Sequence, residues 1–353
     1  MRFVASNCLR EGMCLARPLY RNLDIMLSSG VTLTQQFIEG IHRCGFTGVY
    51  IEDELSEGIE VNTMISDSLR RSATKSLRSV LSMASSGDEK KKVPDLSLQV
   101  ESLVDELFSN RDVMVNMLDL SCYDDYTCNH SLNVAILSIV LSMGMGFTHA
   151  EKIGIGMGAL LHDIGKVFVD KRILNKNGAL TDEEFFTIQK HPLDGYNYIS
   201  RRYRIPRGYC STIVDHHEKY DGTGYPCGKM GTDISLYGRI CAVADVYDAL
   251  SNKRPYRDAM PACECVEYIM GGAGSLFDPE IVEVFTRRIA PYPVGTSVIL
   301  SNGWKALVVE NFINFSLRPR LRVYEQNGER VLPFELSLKD DIRYLSVTIK
   351  GIG

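Results

Sequence analysis

Apolar positions along the chain change their period twice, and an interruption within the helical middle makes four stretches in all. In the first, short apolar runs at Met13–Tyr20 and Asp24–Leu27 flank a turn, and Ser29-Gly30 marks another. Thr32-Leu-Thr-Gln35 has the spacing of a capping box and predicts an amphipathic helix through Phe37, Ile38 and Ile41. Gly45 breaks that helix, and Gly48–Ile51 reads as a strand. Residues 1–62 are therefore expected to form a small α/β accessory domain. Residues 63–119 follow a helical period interrupted by the polar run Ser85–Lys92, which reads as a solvated loop or linker in a helical connector.

From 120 to 287 the pattern is almost entirely helical. Leu132, Ala135, Ile136 and Ile139 form a stripe after His130, and Glu151–Leu161 is a second helix with glycines at 154, 156 and 158. Thr181–Glu184 is a capping box for a third helix running to His191-Pro192, where a break precedes a fourth. Ile213–His217 ends another apolar run, and Ser235–Leu250 is a long helix with Ile240, Val243, Val246 and Leu250 on one side. After 288 the period shortens to two. Strand-like runs at Val294–Leu300, Ala306–Val309 and Leu321–Tyr324 alternate with turn signals at Asn302-Gly303 and Gln326-Asn-Gly328. Residues 288–353 are expected as a short β-hairpin appendage. The fold class implied is mainly α: a helical bundle with a small N-terminal α/β domain and a C-terminal β appendage.

Composition narrows the partners. Hydrophobic content of 45% and charged content of 24% are those of a globular protein. A net charge of −5 provides no footprint for a nucleic-acid polymer, so an anionic ligand needs a local basic cluster. Ten cysteines without a Cys-x-x-Cys pair, no signal-like segment and no long apolar run point to the reducing cytoplasm and no membrane span.

Histidine changes the picture most. Only seven are present, and five of them (His130, His162, His191, His216 and His217) fall in the helical stretch near helix ends or apolar runs. Asp163 follows His162, and Asp245 sits inside the apolar run Ala242–Val246, where a carboxylate is costly unless paired or coordinated. Taken singly, each has an ordinary explanation. His130 or His191 suits an interfacial hydrogen bond, Asp163 suits a pairing with Lys166, and Asp245 suits one with Arg239 or Arg254. The adjacent rings of His216 and His217 diverge by about 100° on a helix, so they reach one ion only at a helix end or share a wider site. Taken together, imidazole and carboxylate without thiolate form the ligand set of a hydrolytic zinc, iron or manganese site. Seven groups exceed the needs of one tetrahedral ion. They suit two ions roughly 3.5–4 Å apart with Asp163 bridging, an arrangement that can activate a water and neutralise charge on phosphate oxygens. Cys128 and Cys241 read as small buried hydrophobes, and His42 and His149 as structural.

The residues His162-Asp163-Ile-Gly-Lys166 and His217-Glu-Lys-Tyr-Asp-Gly-Thr-Gly224-Tyr225-Pro226 resemble the HD-GYP family of cyclic di-GMP phosphodiesterases, a branch of the HD metallohydrolases. The likeness spans roughly 120–285 and includes Tyr126–His130, His191-Pro192, Asp245–Leu250 and Arg254-Pro-Tyr-Arg257. The N-terminal unit also resembles a domain commonly found ahead of such regions. By position, the resemblance implies metal ligands at His130, His162, Asp163, His191, His216, His217 and Asp245. It implies Asp163 and Lys166 as catalytic groups, with Lys166 near the scissile phosphate. Arg254 and Arg257 would contact substrate phosphates, and Gly224, Tyr225 and Pro226 would shape access or meet a partner, with Tyr225 able to stack on a base.

In one respect the sequence departs from part of that family. Some members carry a glutamate four residues before the first histidine ligand, adding a third metal site; here that position is Tyr126. The expectation is therefore two divalent ions, iron or manganese ahead of zinc, and linear pGpG as main product, with conversion on to GMP left open. Partners expected are cyclic di-GMP, a protein at the Gly-Tyr-Pro loop and a second copy of the chain. Two alternatives stand beside this reading: a metal-containing cyclic di-GMP receptor with little turnover, and a phosphohydrolase acting on another nucleotide.

Overall fold

The computed structural model describes residues 1–21, 24–86, 96–116, 126–176, 178–202, 207–252 and 259–353. Its apolar side chains gather into three cores, one under each terminal sheet and a large one among the helices between them. The N-terminal unit contains β1 (Arg2–Ala5), β2 (Cys14–Leu15), β3 (Leu19–Arg21), β4 (Asp24–Leu27), α1 (Gln35–Arg43) and β5 (Gly48–Glu52). β5 lies between β1 and β2 in an antiparallel sheet, and β3 and β4 form a separate hairpin. The α1 cap differs from expectation. Thr34, not Thr32, accepts the Phe37 N–H, because Thr32 is held in a bridge opposite Cys14.

Two helices, α2 (Asp67–Ser86) and α3 (Ser97–Ser109), lead into α4 (Tyr126–Gly144), which packs against α2, α3, α5 (His149–Leu160), α10 (Leu236–Ser251) and α12 (Pro279–Arg288). The predicted α4 stripe is buried, but Val134, Leu137, Val140 and Leu141 on its other sides are buried too. A helix surrounded by neighbours is apolar all round. Replacing fully buried Ile136 by Ala would therefore cost about 2–5 kcal/mol.

Between α5 and α10 lie four shorter helices: α6 (Lys171–Leu174), α7 (Asp182–Ile188), α8 (His191–Arg202) and α9 (Arg207–Asp215). The α7 capping box of Thr181 and Glu184 forms as the spacing implied. The helix stops at Ile188 rather than at Pro192, which lies in the first turn of α8, where a missing N–H leaves no bond unmade. α11 (Ala262–Gly271) precedes α12.

The C-terminal segment is more than a hairpin. β6 (Ser297–Leu300), β7 (Lys305–Glu310), β8 (Arg320–Gln326), β9 (Glu329–Ser337) and β10 (Ile349–Ile352) form one antiparallel sheet ordered β10-β6-β7-β8-β9, with its own apolar core. Gln326 pairs with Glu329, so Asn327-Gly328 is a two-residue turn. The fold is thus mainly helical with sheet at both ends. Among the described residues, no helix is long and apolar enough to cross a membrane.

Candidate metal centre

Five separate segments deliver the seven candidate ligands. His130 projects from the first turns of α4, and His162-Asp163 follows the end of α5 and opens a 3-10 turn, Ile164–Phe168, that carries Lys166. His191 begins α8, His216-His217 follows the last residue of α9, and Asp245 lies in α10. The turn at Gly165 sits directly against α8. A Cβ there would stand 1.9 Å from the His191 carbonyl oxygen and 2.7 Å from the Gly195 nitrogen. Only glycine allows that approach, which brings His191 beside Asp163.

The donors fall into two groups, Asp163 with His191, His216 and His217, and His130 with His162 and Asp245. Asp163 faces both. Its Oδ1 is 3.3 Å from His191 Nε2 and 3.7 Å from His216 Nε2, while its Oδ2 is 3.4 Å from His162 Nε2 and 3.6 Å from His130 Nε2. Asp245 Oδ1 is 3.1 Å from His130 Nε2, and its Oδ2 lies 4.0 Å from His217 Nδ1. The histidine doublet lies at a helix end, and both rings belong to one group, their centroids 4.1 Å apart.

Four of the rings are held in one tautomer. Nδ1 of His162, His191 and His216 donates to the carbonyls of Ala159, Ile188 and Ile213 at 2.7, 2.7 and 2.9 Å. A carbonyl only accepts, so Nδ1 carries the proton and Nε2 of the neutral ring turns a lone pair inward. For His130 the acceptor is the buried Asp248 carboxylate, 2.7 Å from Nδ1. The Nε2 atoms of His191 and His216 stand 3.2 Å apart. Two lone pairs at that distance repel unless a cation lies beside both. His162 Nε2 and Asp163 Oδ1 are buried without a hydrogen-bond partner, a costly arrangement that a coordinated cation would resolve. The donor set thus fits divalent metal.

Electrostatics agree with this arrangement. Burial opposes the charged form of Asp163, but Lys166, 2.6 Å from Oδ2, and His162 hold the carboxyl well below its usual range. Burial likewise opposes ionisation of Asp245, and His130 overrides it. Burial and the neighbouring His162 and His191 lower His216 to about 4, against an opposing hydrogen bond to Asp163; burial and His216 hold His217 well below the ordinary imidazole value. His130 is the exception. Burial disfavours its charge, yet Asp245 and Asp248 raise it to about 10.

The other sequence candidates are placed as follows. Lys166 is half-exposed at the mouth, bound to Asp163. Gly224 lies against the backbone, where a Cβ would stand 2.3 Å from Lys219 N, and Tyr225 stacks on the His217 ring with centroids 4.7 Å apart. Pro226 follows in a cis peptide. Arg254 and Arg257 lie outside the described residues. Arg239 pairs with Asp278 rather than Asp245, His42 bonds Ser6 O, and His149 bonds Asp105. Cys128 and Cys241 are buried and belong to neither group.

Sequence reasoning missed the supports. Asp248 also accepts from Asn133 and Asn252, each at 2.9 Å. Asp215 accepts from Lys229 and the Ser235 N–H, and Glu218 from the N–H groups of Cys227 and Lys229, pinning the loop that carries Tyr225. Asp248 lies one helical turn after Asp245 on the same apolar helix, a signal that was available.

The HD domain family model matches residues 112–281. This segment is an HD domain. Its His162-Asp163 pair and downstream Gly224-Tyr225-Pro226 carry the resemblance to the HD-GYP type. A cyclic di-GMP phosphodiesterase of Pseudomonas aeruginosa is 35% identical over 226 residues, 63% of this chain and 54% of that protein. One of Thermotoga maritima is 36% identical over 195 residues, 53% of each chain. A 3′3′-cGAMP-specific phosphodiesterase of Vibrio cholerae is 38% identical over 170 residues, 48% of this chain and 36% of that one. The chain thus spans about half the length of the first two relatives, or less of the third.

Proposed function

We propose that this HD domain is a metal-dependent phosphodiesterase that opens cyclic di-GMP to linear pGpG. The observation that carries the reading is Asp163, whose two carboxylate oxygens face different groups of histidines. One divalent ion would be held by Asp163, His191, His216 and His217, and a second by His130, His162 and Asp245 with the other oxygen of Asp163. Iron or manganese suits a set of imidazole and carboxylate without thiolate, with zinc as a further candidate. When bound, such ions supply Lewis acidity toward phosphate oxygens and an activated water.

The chain's own groups do the rest. Asp248, Ala159, Ile188 and Ile213 hold ring protons on the outer nitrogens, so the inward faces stay basic. Lys166 brings a partly exposed ammonium beside Asp163, where it can neutralise phosphate charge or protonate the leaving 3′ oxygen. Tyr225, fixed by its stack on His217 and by its N–H bond to the His217 carbonyl, offers a flat aromatic wall beside the centre for a base. Arg254 and Arg257 remain proposed phosphate contacts, the Gly-Tyr-Pro loop a proposed partner surface.

The test is turnover of cyclic di-GMP by protein purified without oxygen and loaded with Fe²⁺ or Mn²⁺, with products separated by chromatography. Asp163→Asn should lose both metal content and turnover; full activity in that variant would refute the assignment. The identity to a cGAMP-specific relative supports a second reading, 3′3′-cGAMP as substrate. Parallel kcat/KM values for the two dinucleotides decide between them. Tight binding of cyclic di-GMP with no product would instead make the domain a receptor.

A further inference from the structure

Helix α7 buries none of its seven residues, yet it carries two phenylalanines side by side. Phe185 is 47% exposed and Phe186 60%. An exposed phenylalanine by itself calls for no explanation. The setting of Phe185 does, because two attachments fix it beside the metal centre. Its ring meets Tyr225 edge to face, with centroids 6.3 Å apart and planes at 79°, and Tyr225 is itself stacked on His217. One turn further along α7, the Ile188 carbonyl accepts from His191 Nδ1 at 2.7 Å. The start of the helix is pinned by the Thr181–Glu184 capping box and by Lys176, 2.6 Å from Glu184.

Phe185 therefore stands next to the candidate ligands on a helix anchored at both ends, and its ring fills no core. Phe186 is turned about 100° round the helix, and the Lys190 ammonium lies over its ring at 4.7 Å. The two neighbours thus have different surroundings.

We infer that Phe185 is a stacking platform for one purine base of the cyclic dinucleotide. Such a role presupposes that the centre takes a cyclic dinucleotide, as the phosphodiesterase reading has it. A cyclic dinucleotide presents two bases. His217 occupies one face of Tyr225, which leaves that ring a single face for one of them. Phe185, nearly perpendicular to Tyr225, supplies the flat surface for the second. Aromatic side chains serve as base platforms because every base has a π-face.

Steady-state kinetics of the Mn²⁺-loaded full chain with cyclic di-GMP test it. A base stacks in ground and transition states alike, so Phe185→Ala should raise KM about tenfold and leave kcat within about twofold. Phe185→Leu keeps apolar bulk without a flat ring and should match Phe185→Ala, whereas Phe185→Trp should restore KM. Inorganic phosphate carries no base, so its inhibition constant should not change. Phe186→Ala should keep the parent KM. Thermal unfolding should stay near that of the parent throughout, because α7 contributes no buried side chain. With an active parent, an unchanged KM in Phe185→Ala, a parent-like Phe185→Leu, or an equal weakening of phosphate inhibition would overturn the platform and leave the phosphodiesterase reading intact. A parent that binds cyclic di-GMP without turnover sinks that reading alone, and the same ratios are then read as Kd by equilibrium dialysis. A parent that neither binds nor cleaves cyclic di-GMP overturns both.

Discussion

Replacing Asp248 by Asn tests the tautomer argument directly. The carboxylate receives His130 Nδ1 on one oxygen and both Asn133 and Asn252 on the other. An amide must set its NH₂ against a donor whichever way it turns. Facing Oδ1 it meets two donors; facing Oδ2 it meets one, which imidazole can relieve by moving its proton. The second orientation therefore wins, and the neutral His130 ring that a metal ion requires then carries its proton on Nε2, toward Asp245 and Asp163, in place of a lone pair. The loss of a charge-assisted hydrogen bond is worth about 1.5–3 kcal/mol. Supports of metal-bound histidine typically account for 10–100-fold in affinity, or about 1.4–2.7 kcal/mol. Titrating chelator-stripped protein with Mn²⁺ against a fluorescent indicator should then show one ion weakened 10–100-fold. The other should stay within about threefold, since Asp248 touches no member of the Asp163-His191-His216-His217 group directly. Unchanged binding of both ions, or a loss confined to the Asp163-His191-His216-His217 group, would show that Asp248 does not set the His130 tautomer.

Three further outcomes are expected. In chelator-treated protein, His130 is raised from 6.5 to about 10; a folded-state pKa above the unfolded one adds stability that is complete below about pH 6.5 and lost as pH climbs toward 10. Urea unfolding from pH 6 to 10 should show that decline, and a flat profile contradicts it. Gly165→Ala forces a Cβ onto the His191 carbonyl; thermal unfolding should reveal a loss of at least about 1–3 kcal/mol together with weaker metal retention. Glu218→Ala strips the acceptor from the N–H groups of Cys227 and Lys229. Each orphaned donor costs about 1–3 kcal/mol, and hydrogen exchange at both amides should quicken while His130 and its neighbours stay protected.

Periodicity exposed most of the helices because one face of each is buried, whereas α4 is buried on all sides, and the ligands were legible because buried imidazole and carboxylate are rare in apolar helices. Position within an element was less legible. Thr32 and Thr34 carry the same hydroxyl, and a tertiary bridge to Cys14 decided which one caps α1. Pro192 reads equally as a break or a first-turn residue until the chain before it is seen to end at Ile188. The supports were hidden for a different reason. Asn133 acquires meaning only through Asp248, and its pairing across α4 and α10 depends on packing that spacing does not encode. The C-terminal sheet exceeded its forecast because β9 is mostly solvent-facing and β10 is short, which leaves little alternation to detect.

The ends of the chain meet. The Phe3 N–H bonds the Gly295 carbonyl at 3.0 Å, and Arg322 reaches the carbonyls of Leu55 and Glu57, 267 and 265 positions away. The helices are thus a loop whose two feet stand on a shared plinth. A push delivered to either foot arrives at the other, so the terminal sheets act as one handle on the domain between them.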